Sequence, residues 1–409
     1  MQESSLRTTC CVVGGGPAGI LFAYLLARAG VPVTVLEKHG DFLRDFRGDT
    51  VHPSTLDVMD ELGLLDRFLS LPHQKIDHAG GLLGDFPFRG PDFTRVPARC
   101  KFVALMPQWD FLNFLSAEGQ RFPHFDLRME HEATDLMHAN GRVTGVVARS
   151  GDGACIKVHA DLVVGCDGRN AVTRTAAGLD LTELGVPIDV LWFRISRRPD
   201  DREQILGVVN YGKALVLIPR ASYFQVGLII RKGSFEEIQT RGLDSFRVAL
   251  LQMAPYLDKR PDEIRGWDQV KLLTVRVNRL RKWHCPGLLC IGDAAHAMSP
   301  AGGVGINLAV QDAVAAANLL FRPLLGGAVD CDVLSAVQRR REFPTRMTQA
   351  AQLLLHRRLA RVFDNPRPLR PPRLLKCVLR TPGISRLLGY AVGMGVRPEH
   401  VHPELTGLA

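Results

Sequence analysis

The chain has 409 residues, 46% hydrophobic and 23% charged, enough for a large core and two domains of ordinary soluble composition. No run of 18 or more apolar residues occurs and the polar residues 1–5 do not read as a secretion signal, so a cytoplasmic protein without a membrane span is expected. The net charge of +9 lies wholly at one end: from residue 335 onward there are 14 Lys and Arg against 4 Asp and Glu, with no nucleic-acid-binding motif beside them.

In chain order, Cys11-Val12-Val13 closes a strand and Gly14-Gly15-Gly16-Pro17-Ala18-Gly19 follows as a G-x-G-x-x-G turn. Gly14 permits the turn, Gly16 lets backbone approach a pyrophosphate, and Gly19 lets the next helix pack on the sheet. Residues 20–29 continue as that helix, which Gly30 stops. Residues 31–36 form a second strand ending at Glu37, where a carboxylate can accept from ribose hydroxyls. This order predicts a bound dinucleotide. Residues 53–64 read as a helix and 76–102 as a loop-rich excursion. Residues 142–148 and 155–160 alternate like a hairpin. A strand from 160 ends in Asp167-Gly168, with Arg169 and Arg174 just beyond. Taken alone, that pair could be a plain turn with a solvated acid.

Residues 190–195, 205–211, 214–219 and 223–230 read as strands and 246–253 as a helix, a mixed sheet able to wall off a ligand. Trp192, Arg194, Tyr211, Tyr223 and Phe224 are the candidates for a substrate wall, against ordinary sheet packing for each. A short apolar strand then ends in Gly292-Asp293, and Pro300-Ala301-Gly302-Gly303-Val304-Gly305-Ile306-Asn307 leads into a helix over 308–317. The free amides and partial positive charge of that helix start suit an anion or an electron-rich ring. His52 and His296 read as structural hydrogen-bonders. Nine scattered cysteines without a C-x-x-C pair predict reduced core thiols, and the thirteen histidines show no metal spacing.

Beyond 335 the chain turns helical, with prolines at 366, 368, 371 and 372. One reading packs Leu353, Leu359, Phe363 and Leu387 on the body of the protein and leaves the arginines solvated. The other lays the segment on an anionic membrane surface as a weak peripheral contact.

The three motifs in this order resemble the para-hydroxybenzoate hydroxylase-like, or group A, flavoprotein monooxygenases, which include the ubiquinone-pathway hydroxylases. The resemblance covers about residues 8–350. It implies an α/β fold: a Rossmann-like FAD-binding domain of the glutathione-reductase type in pieces 1–75, 103–180 and 285–335. A mixed-sheet substrate domain, 76–102 and 181–284, is inserted into it, and a basic helical segment, 336–409, follows. It also implies non-covalent FAD, NAD(P)H as a transient reductant, O2, and an aromatic or electron-rich apolar substrate hydroxylated through a flavin hydroperoxide. By the same resemblance Glu37 holds the adenosine ribose, Arg47 reaches the pyrophosphate, and Gln108 contacts the ribityl region. Asp293 binds a ribityl hydroxyl or the phosphates, and the backbone of Val304, Gly305, Ile306 and Asn307 faces the pyrimidine end of the flavin. Gly14, Gly16, Gly19, Asp167, Pro300 and Gly303 complete the cofactor set. Ala171 stands where the family's Asp-Gly motif often carries serine.

No general base is assignable, and the oligomeric state is left open. Only one dinucleotide unit is visible, so the nicotinamide would come and go. Two alternatives use the same fold: a flavin reductase of isoprenoid double bonds, and a non-catalytic binding protein like Rab GDP-dissociation inhibitors. A halogenase would carry Trp-x-Trp-x-Ile-Pro, which Trp192-Phe193-Arg194-Ile195 is not.

Overall fold

The computed structural model describes residues 4–43, 50–201, 206–327, 329–365 and 367–407. Its centre is a largely parallel sheet. In spatial order the parallel strands are Leu288–Cys290, Cys155–Gly165, Ser4–Val13, Val33–Leu36 and Phe125–Arg128. Strands Arg142–Ser150 and His131–Ala139 extend the sheet as an antiparallel hairpin off Cys155–Gly165. Parallel strands are covered on both faces, so they read as unbroken apolar runs rather than alternating ones. Cys10 to Val13 and Leu162 to Val164 are accordingly buried throughout.

Two apolar helices pack against each other over this sheet, Pro17–Arg28 and Gly305–Leu325. The first buries every residue from Ala18 to Ala27, and the second every residue from Ile306 to Ala317. The stretch Ala301–Leu325 is long and apolar enough to cross a membrane, but most of it is buried within the protein as a core helix.

The second sheet has the order Lys271–Leu273, Ile188–Ser196, Tyr223–Arg231, Lys213–Pro219, Leu206–Asn210, His78–Leu83 and Phe86–Asp92. Its strands come from two separate stretches of sequence, because Leu206–Asn210 pairs in parallel with His78–Leu83. One face packs on helix Leu243–Met253 through Leu191, Phe193, Phe224, Val226 and Phe246. The other carries Val190 and Trp192 and meets Leu353 and Phe363 of the C-terminal part.

The C-terminal part is less separate than its composition suggests. Helix Cys331–Val362 runs 32 residues and packs along Gly305–Leu325. Helices Arg373–Arg380 and Pro382–Gly393 then cross back onto strand Phe86–Asp92. All nine cysteines are free thiols, and Cys10, Cys11, Cys100 and Cys290 are buried.

Candidate active site

The carboxyl ends of strands Ser4–Val13, Val33–Leu36, Cys155–Gly165 and Leu288–Cys290 lie along one edge of the parallel sheet. Open α/β sheets bind ligands at this edge. It gathers the turn at Gly14, the acid Glu37, the pair Asp167-Gly168 and the pair Gly292-Asp293.

The three glycines of the first turn divide by what surrounds them. At Gly14, φ is +103° and a Cβ would fall 2.4 Å from the Cys166 carbonyl oxygen. At Gly19 a Cβ would fall 2.0 Å from the Gly14 carbonyl oxygen. Neither position tolerates a side chain. Above Gly16 nothing lies within 4 Å, so its backbone at the start of helix Pro17–Arg28 is open to an incoming anion. Glu37 is buried and its carboxylate is fixed by backbone donors: Gly15 N–H reaches Oε2 at 2.9 Å and His39 N–H reaches Oε1 at 3.1 Å.

Across the sheet, Asp293 forms an ion pair with Arg169 at 3.2 Å. Arg174 is buried and bridges the two acidic turns, donating to the Ala294 carbonyl at 3.1 Å and to the Arg169 carbonyl. Asp167 faces inward. Its carboxylate accepts from Thr173 N–H at 3.0 Å and from the Thr173 hydroxyl at 2.8 Å, while burial still raises its pKa above the usual carboxylate range. In this structure it stabilises the start of helix Val172–Ala176.

The loop after Asp293 is anchored from below. Gly303 has φ +64°, and a Cβ there would fall 2.3 Å from Thr50 Oγ1. The Thr50 hydroxyl donates to the Gly303 carbonyl at 2.9 Å, and His52 Nε2 lies 3.1 Å from the same oxygen. Burial lowers the His52 pKa to about 4, so the ring is neutral and donates that bond. Asn307 Oδ1 accepts from the hydroxyls of Ser54 and Thr55, both at 2.8 Å. Pro300 and Val304 precede helix Gly305–Leu325, whose first turn, from Gly305 and Ile306 on, carries the partial positive charge of a helix start. Gln108 begins helix Gln108–Gly119, just beyond strand Val103–Leu105, which pairs with Thr50–Val51. Arg47 lies outside the described residues.

Two buried polar assemblies escaped the sequence reading. Asp312, inside the apolar helix, accepts from Gly292 N–H at 3.1 Å, His296 Nε2 at 2.6 Å and Arg341 Nε at 2.9 Å. Burial alone would raise the Asp312 pKa, but the charges and hydrogen bonds of His296 and Arg341 outweigh it and hold the carboxyl below its usual range. Arg341 also reaches Glu399 Oε1 at 3.4 Å, and Arg340 Nε reaches the same oxygen at 3.0 Å. Part of the basic run is therefore buried and paired. The second assembly lies on one stripe of helix Cys331–Val362. Gln349 Nε2 donates to the carbonyls of Asn278 and Ala297. Gln352 accepts from Ser299 N–H at 3.1 Å and donates to the carbonyls of Ser299 and Ala301, both at 3.0 Å. The Ser299 hydroxyl accepts from Ala301 N–H and donates to His356 Nε2 at 2.8 Å. Burial lowers the His356 pKa to about 4, which leaves that nitrogen an acceptor. The signals were present: a lone acid in an apolar helix, and Gln-Gln-His at i, i+3, i+7.

The five substrate-wall candidates separate by strand parity. Trp192 pairs with Gly227, Arg194 with Gln225 and Ser196 with Tyr223, so Trp192, Arg194 and Tyr223 share one face. The Arg194 guanidinium lies 4.9 Å from the centre of the Tyr223 ring. On that face Ile218 joins a cluster with Val392 and Met394, and Val392 packs with Met298, Val304 and Leu308 beside the glycine loop. Phe224 points to the opposite face, among Leu191, Phe193 and Phe246. Tyr211 occupies the tight turn between Leu206–Asn210 and Lys213–Pro219 with φ +49° and packs toward that same opposite face. Alternation along a strand forbids Tyr223 and Phe224 from sharing a face, so the structure gathers three of the five.

The residues present fit a flavin dinucleotide: an open glycine before a helix, a fixed acid on the second strand, and a glycine loop opening a second helix. Residues 7–351 match the family model described as an FAD binding domain. The chain is 30% identical over 387 residues to 6-methylpretetramide 4-monooxygenase of Streptomyces rimosus, covering 93% of this chain and 91% of that protein. Other curated relatives are longer, and the chain spans 52% to 64% of their length. Among solved structures, PqsL of P. aeruginosa in complex with 2-aminobenzoylacetate superposes with TM-score 0.74 at 21% identity, over 88% of this chain and 100% of that one. OxyS anhydrotetracycline hydroxylase from Streptomyces rimosus superposes with TM-score 0.72 at 22% identity, over 96% of this chain and 77% of that one. The chain belongs to the FAD-binding-domain family of flavoprotein monooxygenases and is an FAD-dependent monooxygenase of the para-hydroxybenzoate hydroxylase-like group.

Proposed function

We propose that this enzyme hydroxylates a ring of a fused-ring, phenolic, largely apolar substrate of the polyketide type, with NAD(P)H as reductant. The observation that carries this is the match to a 6-methylpretetramide monooxygenase over 93% of this chain and 91% of that protein, most of the substrate sheet included. The mixed sheet supports it: Trp192, Val216 and Ile218 offer an apolar wall, with Arg194 stacked on Tyr223 at its edge. Bound FAD would supply the redox chemistry and the activation of O2. Glu37, Arg47, Gln108 and Asp293 would hold the dinucleotide with the glycines of both turns, Asp167 and Arg174 keeping those turns in place. Pro300 and Gly303 to Asn307 would lie against the flavin ring, and the start of helix Gly305–Leu325 would favour negative charge there. Trp192 and the Val392–Met394 cluster would keep water from the reacting ring.

The test is a panel of phenolic, quinoid and multi-ring polyketide compounds. It measures which of them stimulate NAD(P)H oxidation and the mass of each product. A multi-ring phenol returned one oxygen heavier is the expected result. Turnover without O2 to a saturated product would establish the reductase reading instead.

A further inference from the structure

Helix Arg373–Arg380 is turned inside out. The ammonium of Lys376 and the guanidinium of Arg380 lie over the buried Phe86 ring, 5.5 and 5.2 Å from its centre. Most apolar side chains of the same helix face away: Leu374 is 77% exposed and Leu375 and Val378 are also exposed, whereas Leu379 is half-buried. A surface helix ordinarily buries its apolar stripe against its own core. Helix Pro382–Gly393 continues the arrangement. Ser385, Gly389 and Gly393 face the protein, and a Cβ on Gly389 would fall 1.8 Å from the Asp92 carbonyl oxygen. Leu387 is left 64% exposed and Leu388 is exposed beside it.

The charge around these leucines is one-sided. Arg357, Arg358, Arg361, Arg367, Arg370, Arg373, Lys376, Arg380 and Arg386 fall within thirty residues that contain one acid, Asp364. Asp364 pairs with Arg231 at 2.6 Å. Arg340 and Arg341 differ, being committed to Glu399 and Asp312. The positive excess is thus concentrated where the leucines are exposed.

We propose that helices Arg373–Arg380 and Pro382–Gly393 dock this enzyme on an anionic lipid surface, the leucines entering the interface and the arginines meeting headgroups. Burying apolar side chains and pairing juxtamembrane cations both favour such a surface. A second copy of the chain fits poorly, because a symmetric contact would set these nine cations against nine more. The location suits the chemistry as well. Helix Pro382–Gly393 leads from the exposed leucines into Val392 and Met394, which pack toward the glycine loop and the substrate face. An apolar substrate dissolved in a bilayer would meet the enzyme on that side. The docking itself rests on these two helices and not on the substrate assignment.

The test uses the full-length flavin-loaded enzyme and sedimented vesicles of phosphatidylcholine, with or without roughly 30% phosphatidylglycerol, at about 0.05 M salt. The wild type is expected on the anionic vesicles and not on the neutral ones. The double variant L374E/V378E, and separately R370Q/R373Q/R386Q, should each weaken binding by about tenfold or more, with flavin content and Tm unchanged. These side chains are exposed, so the fold does not depend on them. Three results would overturn the proposal: no binding to anionic vesicles at low salt, binding that both variants leave intact, or light scattering that shows a dimer which L374E/V378E dissociates.

Discussion

The two halves of the nucleotide edge are built in opposite ways. Around Gly14, Gly16, Gly19 and Glu37 the motif lies within about thirty residues, with the Cys166 carbonyl packed against Gly14 as a distant neighbour. Around Asp293 and residues 300–307 the chain is held from far away. Ser54 and Thr55 reach Asn307, Thr50 and His52 reach Gly303, and Gln352 and His356 reach Ser299. The first half largely encodes itself. The second is a loop whose shape belongs to the helices around it, and a loop so held can be disturbed by residues that never touch a ligand.

The strongest way to break the second half without touching the first is Asp312→Ala. It removes the acceptor for Gly292 N–H, His296 and Arg341 together and leaves Arg341 buried with its longer contacts to Glu399 and to the Arg397 carbonyl. Leaving one member of a buried ion pair without its partner costs about 3–5 kcal/mol. Chemical denaturation should show a loss of that size, with flavin released at lower denaturant than protein fluorescence changes. A loss below about 1 kcal/mol would mean that the network is not what holds the Gly292 turn. In the first half, Gly14→Ala is the matching break. A Cβ there meets backbone and φ is +103°, so little soluble flavin-bound protein is expected.

Acid offers a graded version of the same comparison. His52 and His356 both brace the second half, and burial lowers both pKa values to about 4, against 6.5 in the unfolded chain. Below pH 6.5 the unfolded chain binds the extra protons first, so stability falls as pH drops from about 6.5 to about 4. Each ring contributes up to about 3 kcal/mol of that loss. Asp312, held below its usual range, adds its own loss at the acid end. The first half contains neither ring. A His356→Gln variant should therefore show a shallower slope of Tm between pH 6.5 and 4 than the wild type. An unchanged slope would remove His356 from the account.

What was legible in the sequence follows from the same division. The strand–turn–helix–strand unit, the Asp-Gly and Gly-Asp strand ends and four strands of the second sheet were readable because each is a local pattern; His78–Leu83 and Phe86–Asp92, read as a loop-rich excursion for their glycines and prolines, are strands of that sheet, as is the three-residue Lys271–Leu273. The partners of the glycine loop were not, because Ser54 and Asn307 are 253 residues apart in sequence and only the fold brings them together. Composition misled at Arg341, which sits in a run of three arginines but is buried on Asp312. The reading that packed Leu387 on the body of the protein failed there, since it is exposed. Parity alone could have separated Tyr223 from Phe224, since both fall in the strand 223–230 read from the sequence.

Between these extremes lies Gln352→Leu. The change keeps the volume nearly constant and removes the bonds to Ser299 N–H, Ser299 C=O and Ala301 C=O. Buried polar groups left unpaired cost about 1–3 kcal/mol, so a modest fall in Tm is expected. The more telling readout is the visible spectrum of bound flavin, which should shift and lose fine structure if the loop 300–304 moves. An unaltered spectrum alongside a lower Tm would mean that Gln352 supports the fold but not the flavin side of the loop.

The smallest effect is the sharpest. Gly16 is the one glycine of the first turn above which nothing lies within 4 Å, so Gly16→Ala adds a methyl group to open space. The backbone there is ordinary, with φ −77° and ψ −177°, which alanine adopts without strain. Alanine at that position should leave the Tm of the flavin-free protein unchanged, or slightly raised through the unfolded state. If a pyrophosphate settles on this helix start, the same methyl group keeps it from the backbone amides, and FAD affinity should fall about tenfold or more, about 1.4 kcal/mol. Fluorescence titration of the apoprotein with FAD measures that directly. Unchanged affinity would place the phosphates elsewhere, whereas weaker affinity at constant stability would separate binding from folding at this turn, a separation that Gly14 and Gly19, closed in by backbone, do not permit.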